Sequence, residues 1–257
     1  MDYLTLKILS IFAIFGVGLL GGLVPVTREN VDGHKRLFSL GAAFSGGIFV
    51  GAGLIHMLPD ANEGFTDALK NVEYPLAFLI CAVGFLLILF LDKILFGDHD
   101  ATTNQNIKSR TPYILAIILS VHSVIAGIAL GVDGSTTSSL IILVAILSHK
   151  GSAAFALGVN LAKHNVLKKQ AQKTIYLFCL MTPLGVITGL ILHHFLLHDN
   201  QKLLEAIFDS VAAGTFLYVA ILEIIREEFS SPSKTALAKF FFLGAGLLLM
   251  AALAIFL

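Results

Sequence analysis

The sequence predicts an all-α integral membrane protein: eight transmembrane helices in a compact bundle, with both termini outside the cytoplasm. The first observation is composition, because 56% of the 257 residues are hydrophobic, 13% are charged and the mean hydropathy is +0.87. In soluble domains, by comparison, roughly a quarter of the residues are charged. The second is a series of apolar segments long enough to cross a bilayer. The third is the uneven distribution of Lys and Arg between the links that join them.

Eight apolar segments satisfy the requirement of about 20 residues for a membrane-spanning helix. The first is long, lacks an Ala-x-Ala cleavage site and leads into VPVTREN, so we expect a retained helix instead of a signal peptide. The links are short, and the longest, at 97–111, is a polar cytoplasmic linker. We therefore expect residues 1–257 to form a single transmembrane domain. The segments are roughly 4–24, 37–58, 75–96, 112–132, 138–162, 174–197, 205–225 and 236–257.

The basic residues fix the predicted orientation of the segments. Thirteen of the 17 Lys and Arg residues fall in the links after segments 1, 3, 5 and 7. The other side has only Lys7, Lys70 and Lys202, and Lys150 lies inside a segment. Because cytoplasmic loops carry an excess of Lys and Arg, the side with thirteen basic residues is predicted to be cytoplasmic. An even number of crossings then places both termini outside.

Small residues recur where helices could approach closely. Segment 2 contains Gly47 and Gly51, segment 4 contains Gly127 and Gly131, and segment 8 contains Gly244 and Gly246. Glycines at this spacing let membrane helices pack with their backbones in contact. Close packing explains most of them without any further role.

Two histidines and a lysine lie midway along segments 4 and 5. Titratable groups at bilayer depth are costly and mark a pathway or a partner. His122 is about ten residues from the inner end of segment 4 and His149 about eleven from the outer end of segment 5, so at ~1.5 Å per residue they reach similar depth. Imidazole suits Zn²⁺ and related transition metals, and the pair could form half of a tetrahedral site. The alternative is a pair of interhelical hydrogen bonds.

Carboxylates in segments 2 and 7 are further candidates for a cation pathway. His56, Asp60 and Glu63 share one helical stripe near the outer end of segment 2, if the helix continues through Pro59. They could capture a cation, or they could form an ordinary wetted helix end. In segment 7, Glu223 could serve at the exit or pair with Arg226, whereas Asp209 lies close to the outer end.

Five stretches of the sequence resemble one family of metal transporters. They are GGIFVGAGLIHMLPDA (46–61), HSVIAGIALG (122–131), HKGSAAFALGVNL (149–161), FCLMTPLGVITG (178–189) and AGTFLYVAILEI (213–224). In this order they resemble helices 2, 4, 5, 6 and 7 of the ZIP (Zrt/Irt-like) transporters, in the branch with His-Lys-Gly on helix 5. The resemblance implies a helix bundle that carries zinc and related divalent metals, with ligands from helices 4 and 5.

The sequence departs from the family pattern beside the two histidines. The resemblance leads one to expect a glutamate four residues after the helix-4 histidine, but Ala126 is there, and Ala153 has the corresponding place on helix 5. Thr182 precedes Pro183, where some members have a carboxylate. A second metal site is therefore predicted to be absent. We expect Lys150 to repel a second cation and to pair with a carboxylate, or to form a purely structural salt bridge.

These observations predict transport of a divalent transition-metal cation, with zinc as first choice, into the cytoplasm across a plasma or bacterial inner membrane. Zinc is a substrate here, and neither a cofactor nor an enzymatic activity is expected. The expected partners are the metal ion, the lipid bilayer and, as an open option, a second copy of the chain; zero net charge gives no indication of nucleic acid. The predicted metal ligands are His122, His149, His56, Asp60, Glu63 and Glu223, and the predicted pathway residues are Ser123, Lys150, Thr182 and Asp209.

Two other classes of function stay open at this level. A ZIP-like protein without transport activity, acting as a sensor or scaffold, is favoured by Ala126. An intramembrane metallohydrolase could use Ser123, His122, His149 and Asp209, although neither HExxH nor GxSxG occurs.

Overall fold

The computed structural model describes residues 3–27, 31–69, 73–95, 111–193, 198–230 and 234–255. Apart from Thr111, the linker predicted at 97–111 lies outside the described residues. Eight helices in the described part are long and apolar enough to cross a membrane, which confirms the predicted all-α membrane fold. The location of both termini outside the cytoplasm stays a prediction. We number them α1 (Tyr3–Thr27), α2 (Arg36–Ala68), α3 (Leu76–Ile94), α4 (Pro112–Val132), α5 (Thr136–Lys163), α6 (Lys168–Leu192), α7 (Lys202–Phe229) and α8 (Ala236–Leu253).

Helix α2 passes through Pro59 without ending. Proline lacks an amide hydrogen and its ring collides with the carbonyl one turn earlier, so an ordinary α-helix would kink or stop there. The chain instead widens into a π-helical turn at Ala52–Met57 and returns to an α-helix at Leu58–Ala68. Such single π turns are frequent at functional sites. Two further π-helical stretches occur in the described residues, Leu91–Leu95 at the end of α3 and Val219–Ile225 within α7.

The helices form two groups. The most extensive contacts in the first group join α4 to α6, and α1 to α5 and α6; in the second they join α2 to α8, and α7 to α3 and to the last part of α2. Contacts between the groups are fewer and run mainly between α2 and α5 and between α4 and α7. The first group contains both mid-membrane histidines, whereas the second provides the long π-turned helices that face them.

Glycines hold α4 against α6 at backbone contact. A Cβ atom added to Gly131 would lie 2.7 Å from the Cα atom of Gly189, and one added to Gly127 would lie 2.9 Å from the Cα atom of Gly185. The predicted close approach is therefore present at these positions. In α8 the contact is made by Gly246, whose added Cβ would collide with the backbone of Phe44; Gly244 meets nothing within 4 Å among the described residues.

Lys7, which the sequence assigns to the outer side, lies at the end of the bundle where α4 ends. Its side chain is fully buried, and its ammonium donates hydrogen bonds to the carbonyl oxygens of Gly131 (2.5 Å) and Asp133 (2.6 Å). The last carbonyls of a helix have no partner within it and carry partial negative charge. Lys7 of α1 therefore caps the end of α4, which ties two helices of the first group together.

Candidate metal site

The structure brings the two mid-membrane histidines together between α4 and α5. Both imidazoles are buried, and their Nε2 atoms lie 3.5 Å apart. Two nitrogens that bind one zinc ion at about 2.0–2.1 Å with a tetrahedral angle would be about 3.3–3.4 Å apart. The observed separation of His122 and His149 thus fits a shared divalent cation with little movement of either ring.

The other ring nitrogens of this pair are also informative. The Nδ1 atoms of His122 and His149 are buried, and within the described residues neither has a hydrogen-bond partner. A buried polar atom without a partner costs about 1–3 kcal/mol. Neither ring is therefore held through its Nδ1 atom by a backbone or hydroxyl group of another helix; the contact between the helices is the one between the two Nε2 atoms.

An aromatic side chain of the second helix group covers both imidazoles. Phe216 of α7 lies with its ring centroid 4.1 Å from that of His122 and 5.1 Å from that of His149. Phe216 is fully buried and packs in turn on Phe49 of α2, at 4.8 Å between ring centroids. The histidines consequently sit at the boundary between the two helix groups, against an apolar wall.

A cavity of about 220 Å³ reaches the two histidines from the end of the bundle where α2 ends and α7 begins. This is the end that the sequence predicts to be extracellular. Its walls combine apolar side chains of α4 and α5 with a set of ionisable groups. The ionisable residues that line it are His56, Asp60, His122, His149, Glu205 and Asp209.

Of the three residues in the stripe predicted on α2, the structure places only two at the cavity. His56 and Asp60 line the cavity together, and the Nδ1 atom of His56 lies 2.8 Å from a carboxylate oxygen of Asp60. Glu63 is exposed and is not part of the cavity wall. It follows Asp60 by less than a full helical turn, while the neighbouring Ala61 and Phe65 are the buried face. The structure therefore brings two of the three residues to the cavity.

Helix α7 contributes two carboxylates to the same cavity. Asp209 was predicted as a pathway residue, but Glu205, one turn earlier, was not singled out. Glu205 is the first residue of the seventh predicted segment, 205–225. The i, i+4 spacing of Glu205 and Asp209 is the signal that could have identified it, since residues four apart share a helix face.

Lys150 lies on the opposite side of the histidines from this cavity wall. Its ammonium donates to the hydroxyl oxygens of Ser123 (2.9 Å) and Thr182 (3.0 Å) and stands 3.7 Å above the ring centroid of Phe178. A void of about 10 Å³, close to the size of one water molecule, separates Lys150 from the two imidazoles.

The carboxylate partner expected for Lys150 is not among its contacts in the described part of the chain, so the predicted salt bridge is wrong in this structure. Hydroxyl oxygens and the negative face of an aromatic ring stabilise the ammonium instead. Ser123 and Thr182, which the sequence placed on the pathway, therefore act here as acceptors for Lys150. The side chain occupies the region beside Ala126 and Ala153 where a second cation would need carboxylates.

Glu223 lies near the other end of the bundle, away from the histidines. Its nearest ionic contact is Lys93 of α3, at 3.8 Å, and not Arg226 as one alternative had it. Lys93 also pairs with Asp92 at 2.5 Å, and Asp92 accepts a hydrogen bond from Tyr218 of α7. This cluster joins α3 to α7 inside the second helix group.

A second ionic cluster at that end connects the two groups. The buried carboxylate of Glu228 (α7) accepts from Lys163 of α5 at 2.5 Å and from Lys239 of α8 at 2.9 Å, and it also binds the hydroxyl of Ser39 on α2. Lys163 belongs to the first helix group, and the other three residues belong to the second. The bundle is thus joined by buried charges at the end opposite to the cavity.

The described residues do not contain a complete set of metal ligands. Groups of three or more His, Cys, Asp or Glu side chains placed to hold an ion do not occur among them. His122 and His149 provide two neutral nitrogens, and the carboxylates of Asp60 and Asp209 face the same cavity without closing on the pair. The arrangement can bind a partly hydrated cation at the end of an acidic cavity.

Comparisons with known proteins were made over the whole chain. The family model described as ZIP zinc transporter matches residues 4–111 and 97–254. The chain is 30% identical to the zinc transporter ZIP2 of Homo sapiens and 29% identical to that of Mus musculus, and each alignment covers 98% of both proteins. It is 28% identical to the zinc transporter ZIP1 of Danio rerio, over 98% of this chain and 99% of that protein.

Proposed function

Because this chain belongs to the ZIP zinc transporter family and is a multi-pass integral membrane protein of the cell membrane, we propose that it carries a divalent transition-metal cation, zinc in the first place, into the cytoplasm. The observation that carries the proposal is the imidazole pair, with Nε2 atoms 3.5 Å apart at the end of an acidic cavity. No enzymatic step forms part of this function.

The cavity would attract the cation through its carboxylates. Asp60, Glu205 and Asp209 line a narrow space with low-dielectric walls, which focuses a negative potential and raises the local cation concentration. His56, paired with Asp60, offers a first imidazole on the path. Glu63, although outside the cavity wall, adds negative charge at the exposed rim.

At the end of the cavity, His122 and His149 would replace two waters of the cation. Two neutral ligands leave the double positive charge uncompensated, and an uncompensated charge in a low-dielectric site is costly. Asp60 and Asp209, in the same cavity, supply compensating charge without direct coordination. Lys150 limits the site to one ion, because its ammonium repels a second cation from the adjoining void.

Release to the opposite side requires a rearrangement between the two helix groups. The histidines belong to the first group and Phe216 to the second, so relative rocking would uncover the ion on the other face. The cluster around Glu228 would have to separate during this step, because it joins the groups at that end. Glu223, in the cluster at the same end, is the candidate acceptor for the departing cation. The predicted orientation of the basic links places the open end of the cavity outside, which favours inward movement of the cation.

Radiometal uptake by proteoliposomes tests the proposal. The purified full chain should give saturable uptake of ⁶⁵Zn²⁺ above that of empty liposomes, and unlabelled Cd²⁺ should compete far better than Mg²⁺ or Ca²⁺, because imidazole is a poor ligand for the latter two. Zinc binding by calorimetry with no uptake would overturn transport and favour the sensor or scaffold alternative, which Ala126 supports. If neither zinc binding nor zinc uptake is observed, the proposed metal site is wrong.

A carboxylate introduced at Ala126 should strengthen metal binding. Ala126 lines both the cavity and the void beside the histidines, so an Ala126→Glu side chain can supply the missing negative charge. We expect the zinc dissociation constant to fall at least about tenfold, corresponding to ~1.4 kcal/mol. Titration calorimetry measures it. Ala129→Glu, which lines the cavity one turn farther from the histidines, is the control with a smaller effect. Equal affinities of both variants and the native chain would show that position 126 does not act on the site.

A further inference from the structure

A groove on the outside of the first helix group is independent of the metal pathway. It lies between α4 and α6 and has a volume of about 630 Å³. Its rim carries Ile117, Val121 and Leu177, each at least half exposed, and its floor is formed by the buried Ala116 and Phe178. Apolar side chains that are this exposed in a membrane-spanning helix face the lipid.

The groove has the length of one leaflet of the bilayer. On α4 its wall extends from Tyr113 to Val124, and on α6 from Gln170 to Met181. Each stretch is twelve residues, and its eleven steps of ~1.5 Å give a length of about 16 Å. The hydrocarbon core is about 30 Å thick, so the groove begins at one membrane surface and ends near the midplane. A single acyl chain has this extent.

One end of the groove is polar and positively charged. Tyr113, Gln170, Lys173 and Thr174 form this end, where the hydroxyl of Tyr113 donates to the side-chain oxygen of Gln170 at 3.4 Å. Among the described residues no carboxylate lies within 4 Å of the ammonium of Lys173, and residues 163–175 contain no Asp or Glu. Both helices also begin at this end, so their dipoles add to the favourable potential for an anion.

We propose that this groove is a binding site for one anionic phospholipid, with an acyl chain along α4 and α6 and the phosphate at Lys173. Basic pockets between transmembrane helices on the cytoplasmic side bind anionic lipid headgroups. The polar end of the groove is the one that the sequence predicts to be cytoplasmic, where such lipids are enriched. A zwitterionic lipid would fill the same apolar groove but would gain less from Lys173.

The floor of the groove touches the neighbourhood of the candidate metal site. Phe178 separates the groove from Lys150, whose ammonium lies 3.7 Å from the centroid of its ring. A bound acyl chain would therefore support the side chain that covers Lys150. Since a ligand that binds only the folded state stabilises it, bound lipid should raise the melting temperature of the protein.

Native mass spectrometry of the detergent-purified full chain tests the lipid site, with phosphatidylglycerol and phosphatidylcholine of identical acyl chains as probes. We expect one phosphatidylglycerol to be retained at least about fivefold more strongly, with a larger gain in melting temperature. Lys173→Ala should abolish this preference. Lys169→Ala, one turn earlier and outside the groove, should keep it.

A second pair of variants tests the apolar part of the groove. Val121→Trp should reduce the retention of both lipids, because the indole fills the groove, whereas Leu184→Trp, exposed on α6 outside it, should not. Equal retention of the two lipids by the native chain, or the same preference in the Lys173→Ala variant, would overturn the proposal. Cross-linking of Val121→Cys to a second copy, with no lipid retained, would assign the groove to self-association instead.

Discussion

Replacing both His122 and His149 by alanine is expected to reduce saturable zinc uptake to the level of empty liposomes. The two Nε2 atoms, 3.5 Å apart, are spaced to bind one tetrahedral ion. Without them the cavity ends at Phe216 and the Lys150 ammonium, neither of which can replace the water shell of a dication. Initial rates of ⁶⁵Zn²⁺ uptake, at equal amounts of reconstituted protein, measure the effect.

Controls separate loss of ligands from loss of fold. His122→Asn and His149→Asn keep polar side chains of smaller volume and should leave the protein folded but inactive. His164→Ala removes a half-buried histidine that contacts the Asn160 carbonyl oxygen near the opposite end of α5, and it should keep native uptake. Native zinc uptake by a correctly folded double variant would exclude the proposed pathway.

The second large effect is expected from Glu228→Gln. Glu228 is buried and accepts from Lys163 and Lys239, so its neutral analogue leaves two ammonium groups without their shared counter-charge. Removing one partner of a buried ion pair typically destabilises a protein by about 3–5 kcal/mol. We expect the melting temperature in detergent to fall by roughly 6–20 °C, at ~2–4 °C per kcal/mol. A thermal-shift measurement of the purified variant and the native chain gives this difference in melting temperature.

The adjacent residue provides the matched control. Glu227 also pairs with Lys163, at 3.1 Å, but its side chain is 43% exposed. An exposed pair of this kind contributes about 0–1 kcal/mol, so Glu227→Gln should shift the melting temperature by no more than about 4 °C. If Glu227→Gln and Glu228→Gln lower it equally, the cluster does not act as a buried junction between the helix groups.

Local properties of the chain were sufficient to predict the helices. The length and apolar character of each segment are fixed by its own residues, so all eight spans were predicted, with differences mainly at their ends. The end of α2 is an example: Pro59 made its continuation uncertain, and only the π turn at Ala52–Met57 shows how the helix continues. The similar depth of His122 and His149 also follows from counting residues along two neighbouring segments.

Rotation of each helix about its axis could not be predicted in the same way, because it depends on packing against helices distant in sequence. Glu63 and Glu205 are both acidic residues near helix ends, but packing directs only Glu205 to the cavity. The sequence assigns Lys7 to the outer side, but only the tertiary structure shows that its side chain is buried against the end of α4.

The sequence by itself determined that this chain crosses the membrane eight times, that it belongs with metal-carrying proteins, and that two histidines share one depth. These properties depend on hydrophobicity, length and short motifs, which each segment carries alone. Only the tertiary structure decided the partners of the buried polar groups. Lys150 contacts hydroxyl groups, Glu228 pairs with the ammonium groups of Lys163 and Lys239, and the two histidines lie in an acidic cavity. The physical reason is that electrostatic stabilisation acts across a few ångströms of space, between residues far apart along the chain.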